Sequence, residues 1–249
     1  MARGELVLPL ALAGGLSAFV AFVLFSGSPA LGADTHDTPL PRADTAVVHA
    51  ADTVASREAR RNALEASAES GYLTQLLHEG ERMITRWPEQ AVVRVWVSPT
   101  SSMRGWHPRM VAAAREAFDD WRAVAPVEFR FVADSQDAQV IVTWRDRFEP
   151  DRRGEGLVGH ARRFYTADGW ITSAEVSLAV HSMTGTPLEP DLIRAAALHE
   201  VGHVLGLPHS DRPEDIMAPS HSGLVTRISL RDARTARALY GFSPGSIRD

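Results

Sequence analysis

The sequence predicts an α+β domain of about five strands and three main helices, and three observations predict it. Short apolar runs rich in Val, Ile and Phe recur between residues 91 and 180, each bounded by Pro, Gly, Asp or Ser. Longer stretches with apolar residues three and four apart lie between and after them. A chain of 249 residues with 45% hydrophobic content has enough apolar mass to bury such a layer.

The elements follow in order. Residues 6–25 (LVLPLALAGGLSAFVAFVLF) carry no charge and follow Arg3. A cleaved leader has an apolar stretch of about 7–15 residues and about 20 cross a bilayer, so this length favours an uncleaved anchor. Ala30, Gly32 and Ala33 also offer small residues for cleavage. Residues 1–30 are therefore expected to be a signal peptide or an N-terminal membrane anchor. Either way the rest of the chain is expected outside the cytoplasm, held in the membrane through residues 6–25 or secreted. Residues 31–55, rich in Ala, Asp, Thr and Pro without a sustained period, are expected to be a flexible stem. From 56 to 87, Leu73, Leu76, Leu77, Gly80, Met83, Ile84 and Trp87 recur at helical spacing. That predicts an amphipathic helix docking on the following domain and ending at Pro88.

The domain itself is expected over 88–243. Residues 91–97 (AVVRVWV) read as a strand, and 108–124 as a helix buried through Val111, Ala114, Phe118 and Trp121. Strands are expected at 127–132 and 138–144, then at 157–165 and 174–180 around an Ala167-Asp168-Gly169 turn. Asp191, after Pro190, can cap a helix running to Leu205, and a last helix spans 229–241.

Acidic residues outnumber basic ones by 31 to 26, so no basic field is present to hold a nucleic-acid backbone, and no such partner is expected. Arg152, Arg153, Arg162 and Arg163 read as solvated faces. The absence of cysteine excludes disulfides, thiolate metal ligands and a thiol nucleophile.

The chemistry is concentrated in residues 199–209, HEVGHVLGLPH. On a helix, positions four apart lie one above the other, so His199 and His203 project two imidazoles toward one point. Leu198, Val201 and Leu205 fall on another face and can pack the helix into the core. Glu200 lies about a quarter turn away, off the ligand position but within reach of a water between the imidazoles. Gly206 can take a left-handed conformation that ends the helix, Pro208 prevents its resumption, and His209 can then face the same point. Three imidazoles leave one tetrahedral position open, the arrangement of a catalytic zinc rather than a structural one.

This motif, followed by Met217 in Asp215-Ile216-Met217-Ala218-Pro219, resembles the zinc helix and Met-turn of the metzincins. Its wording is most similar to the matrixins, the matrix-metalloproteinase-like group. Residues 114–121 (AREAFDDW) with 126–129 (PVEF) resemble that family's first helix and second strand, and 229–241 its closing helix ending in Leu-Tyr-Gly. The similarity covers about residues 87–242. It implies a mixed twisted sheet above the zinc helix, one catalytic Zn2+ on His199, His203 and His209, and Met217 packed beneath the metal with Gly206 shaping the turn. It implies a zinc-dependent endopeptidase acting on protein or peptide substrates, with Glu200 as general base. Leu157, Val158, Gly159, His160 and Ala161 would form the edge that pairs with substrate, and Pro219 would wall the pocket.

The chain departs from the family's pattern in three places. With no cysteine, the thiolate latch of many matrixin precursors cannot form. His160 stands at one ligand position of a second, structural zinc, but Glu175 stands where another His would be expected, so a second zinc is not expected. Pro219 replaces the tyrosine that astacin-like relatives carry after the methionine. The rival reading is an exported binding or adhesion domain that holds zinc only for folding and has no proteolytic activity. The intact Glu200 and the lack of a cysteine as fourth ligand count against it.

Overall fold

A computed structural model describes residues 52–69, 71–149, 158–219 and 225–248. The apolar run 6–25 and most of the expected stem lie outside them. Among the described residues no helix is long and apolar enough to cross a membrane.

The single helix expected over 56–87 is three elements instead: α1 (Val54–Ala66), α2 (Gln75–His78) and the short strand β1 (Met83–Ile84). Thr53 caps α1, accepting from the Ser56 N–H, so the last residues of the expected stem already belong to this helix. Two glycines break the path. A Cβ at Gly71 would lie 2.3 Å from Thr235 Oγ1, so only glycine lets the chain pass there, and Gly80 takes φ +81°, which turns it again. The spacing of three and four survives because Tyr72, Leu73, Leu76, Ile84 and Trp87 are all buried, but along a bent path rather than one helical stripe.

In β2 (Val92–Val97) the alternation of the sequence becomes a half-buried strand, with Val93, Val95 and Val97 inside. Helix α3 (Pro108–Arg122) starts on His107, with Pro108 in its first turn, and buries Met110, Ala113, Ala114, Ala117, Phe118 and Trp121. Strands β3 (Glu128–Phe131), β4 (Val140–Arg145), β5 (Gly159–Tyr165) and β6 (Ile171–Ala179) complete the layer. The sheet order is β3-β2-β4-β6-β5, parallel except for β5, which runs antiparallel to β6 at the edge. It is thus the mixed five-stranded sheet expected for a metzincin-like α+β domain.

Helix α4 (Pro190–Leu205) packs against α3, with the Trp121 indole N–H donating to Leu198 O at 2.7 Å. Its N-cap is Glu189 rather than Asp191, because Pro190 occupies the first helical position, where a missing N–H costs nothing. Asp191 sits in the first turn. Helix α5 (Leu230–Tyr240) opens with a capping box between Ser229 and Asp232. The closing strand β7 (Gly245–Ser246) pairs antiparallel with β1, so the segment before the sheet and the end of the chain are stitched together.

Candidate metal centre

The last turn of a helix leaves carbonyls without intrahelical partners, and α4 ends deep in the core. Side chains from three directions satisfy them: Arg163 donates to His203 O at 2.7 Å, Trp87 to Val204 O at 2.9 Å and Tyr240 to Leu205 O at 3.2 Å. Arg163 is therefore not the solvated residue its sequence context suggests; its side chain is 10% exposed and anchors the end of the helix. Arg162 beside it is exposed. Gly206 then takes φ +107°, and a Cβ there would lie 2.1 Å from Thr85 O, so the turn out of the helix requires glycine twice over.

That turn delivers His209 to the two helical imidazoles. The candidate ligand atoms of His199, His203 and His209 all lie within 4.8 Å of one another, the one such group of three among the described residues. Hydrogen bonds decide which nitrogens face inward. His199 Nδ1 lies 2.8 Å from Ile216 O and His203 Nδ1 2.9 Å from Leu207 O, and a carbonyl can only accept. Each Nδ1 therefore carries the proton, and each Nε2 presents a lone pair. His209 Nδ1 lies 3.0 Å from Glu79 Oε1 and its Nε2 is buried without a partner. The Nε2 atoms of His199 and His203 are 3.0 Å apart, an unfavourable approach of two lone pairs unless a cation joins them. Tetrahedral zinc with bonds of about 2.0–2.1 Å places ligand nitrogens about 3.3 Å apart, so this donor set fits zinc. Burial, reinforced by His199, His209 and Arg163, holds His203 well below the usual imidazole pKa and so keeps it in the neutral, ligating form.

Glu200 is 1% exposed. Burial raises its pKa well above the carboxylate norm, opposed by one hydrogen bond from the Ala161 N–H, while Oε1 is buried without a partner. The carboxylate rests on β5: a Cβ at Gly159 would fall 2.6 Å from Glu200 Oε1. Val158 and Ala161 are buried alongside, His160 is half-buried opposite Ser177, and Leu157 lies outside the described residues. Met217 is fully buried under α4, where a Cβ on Gly202 would lie 2.1 Å from its sulfur. Pro219 is exposed two residues further on.

Four further residues of the centre are ones that the sequence did not assign to it. Glu79 and Arg163 are named above. Gly202 admits the Met217 sulfur against the helix. Asp232 accepts from the Ile216 N–H at 2.9 Å and from the Tyr72 hydroxyl at 2.8 Å, fixing the loop whose carbonyl holds His199. The capping-box pattern at Ser229 was the one available signal, and it accounts for only part of what Asp232 does.

The matrixin family model matches residues 86–241. The chain is 32% identical over 137 residues to a macrophage metalloelastase of Rattus norvegicus, covering 51% of this chain and 28% of that protein. It is 33% identical over 141 residues to matrix metalloproteinase-19 of Homo sapiens, covering 55% and 27%. With metalloendoproteinase 1 of Glycine max it shares 29% identity over 148 residues, covering 53% and 46%. The chain thus spans less than half the length of each of these relatives. Family model, mixed sheet and histidine cluster agree, and the chain belongs to the matrixin family, a membership that supports a zinc metallopeptidase.

Proposed function

We propose that this chain is a zinc-dependent endopeptidase in which His199, His203 and His209 hold one zinc through their Nε2 atoms and Glu200 is the general base. The observation that carries the reading is the pairing of a three-histidine cluster with a buried carboxylate whose Oε1 has no partner among the described residues. Zinc in that cluster supplies a Lewis acid that polarises a peptide carbonyl and makes an attacking water more acidic. Glu200 takes the proton from that water and passes it to the leaving amine. Desolvation favours this task, since a carboxylate whose pKa is raised holds a proton more firmly near neutral pH. Among the described residues the edge strand β5 has one side free of sheet partners, so an extended peptide can add to it with its scissile bond beside Glu200. Leu157, Val158, Gly159, His160 and Ala161 would make that contact, with Pro219 bounding the pocket. Substrates are therefore protein or peptide segments in extended form. We further infer export, supported by the uncharged run 6–25, which either anchors the chain or is removed.

The test is metal analysis combined with cleavage of an unstructured protein. Glu200→Ala should keep zinc and lose proteolysis; His203→Ala should lose both. Full activity in Glu200→Ala would refute the assignment, and a zinc-loaded wild type inert toward unstructured proteins would favour the binding-domain rival.

A further inference from the structure

We propose that Glu79 is a positioning residue for the metal centre, so that the stretch 71–85, which precedes the residues matching the family, is part of the catalytic unit and not a cover over it. The proposal rests on the zinc reading above and asks what holds the third ligand in place.

His199 and His203 project from a buried helix and give their Nδ1 protons to backbone carbonyls. His209 has neither advantage. It stands on a loop after the left-handed Gly206, and among the described residues its Nδ1 meets a carboxylate rather than a backbone carbonyl. Glu79 supplies both functions with one oxygen: Oε1 accepts from the His209 backbone N–H at 3.1 Å and from Nδ1 at 3.0 Å. Two bonds to one residue, one from the main chain and one from the ring, fix the imidazole plane as well as its place. The geometry also says which side of the ring the carboxylate occupies. It sits at Nδ1, behind the ligand, and leaves the buried Nε2 aimed at the other imidazoles. A segment that blocked the centre would meet Nε2 instead.

A fully exposed contact of this kind would do little. Here the His209 and Glu79 side chains are 12% and 24% exposed, and the backbone around Glu79 is held on both sides. Its N–H closes α2 on Gln75 O at 2.8 Å, the Glu81 N–H returns to Leu76 O at 3.1 Å, and Tyr72, Leu73 and Leu76 are buried. The same stretch reaches the other two ligands indirectly. Glu81 lies 3.8 Å from Arg163, which donates to His203 O, and Tyr72 holds Asp232, which holds the Ile216 loop against His199. Glu79 is the one member of this set that touches a ligand's ring.

The experiment uses the full-length chain and four forms: wild type, Glu79→Gln, Glu79→Asp and Glu79→Ala. Zinc affinity is read by chelator competition, and the ligand field by the visible spectrum of the cobalt-substituted protein. Melting of the metal-free forms gives the structural control. Partners behind metal-bound imidazoles typically matter by about 10- to 100-fold in affinity, and Glu79→Ala should fall in that range with an altered cobalt spectrum. Glu79→Gln keeps an acceptor oxygen at the same reach and should recover most of the loss. Glu79→Asp keeps the charge but withdraws the oxygen by one methylene, and should behave like Ala. Ala or Asp holding zinc as tightly as wild type overturns the proposal, as does Gln binding no better than Ala. If Glu79→Ala fails to fold, the Gln and Asp forms decide the matter alone. A wild type that binds no zinc would refute the metal reading itself, a result distinct from equal affinity across all four forms.

Discussion

Gly159 and Glu200 are in direct contact across the junction of the edge strand and helix α4, with only 2.6 Å between Glu200 Oε1 and the place where a Cβ on residue 159 would sit. No real Cβ tolerates that distance, and neither neighbour can yield freely, since Glu200 is buried and β5 is bonded to β6. Gly159→Ala should therefore move the carboxylate and leave the three imidazoles in place. A displacement near 1 Å at a reacting group can cost about 100-fold in rate. The expected result is a fall in kcat of that order with zinc content unchanged. Loss of zinc in this variant, or normal kcat, would contradict the contact.

Glu200 also sets a pH-dependent cost to stability. Burial raises its folded pKa above the ordinary 4.5, so between that value and the folded one the unfolded chain is ionised while the folded one resists ionisation. Stability from this group is fully present below pH 4.5 and is lost as pH rises through the folded value. Glu200→Gln should therefore raise the melting temperature of the metal-free protein at pH 7 while abolishing proteolysis, and the gain should vanish below pH 4.5. Zinc favours the ionised carboxylate, so the gain should shrink in the loaded protein. Calorimetry at several pH values, with and without metal, tests the sign.

The histidine cluster could be read from the sequence because its members lie within one helix and one turn, where the helical period and a glycine dictate the geometry. Strands β2 to β6 could be read because they alternate and are punctuated. What escaped lies at long separation. The contact between Glu79 and His209 joins positions 130 apart, and that between Tyr72 and Asp232 positions 160 apart. No local period encodes such pairs. The stretch 56–87 misled for a related reason: buried residues three and four apart satisfy a helix and a bent, glycine-hinged path equally well until Thr235 and the strand β7 are in place to select between them. Arg163 was legible as a charge but not as the cap of a buried helix.

Tyr72 offers a measure of how strongly the segment before the sheet is tied to the centre. Its hydroxyl is the partner of Asp232 Oδ1, while Oδ2 takes the Ile216 and Ser229 N–H groups. Tyr72→Phe keeps the ring and leaves a buried carboxylate oxygen unpaired, a loss of about 1–3 kcal/mol. For a domain of this size that corresponds to a drop in Tm of about 2–12 °C. A smaller change would mean that water replaces the hydroxyl and that the tie carries little load.

One zinc per chain is expected rather than two. His160 is the residue whose place in the family's pattern invites a second ion, and it faces Ser177 across the strand pair, while Glu175 faces Arg162. Burial, then Arg145 and Arg162, hold the His160 pKa below 6.5, and the two guanidinium groups that disfavour its protonation oppose a dication for the same reason. A structural zinc also needs four protein donors, and the described residues bring no third His, Cys, Asp or Glu donor to His160. His160→Ala should accordingly leave zinc content and Tm within the range of an ordinary half-buried substitution, whereas His203→Ala should empty the protein of metal. Metal analysis of the wild type and both variants settles the point: a second tightly held zinc that disappears with His160 would overturn this expectation.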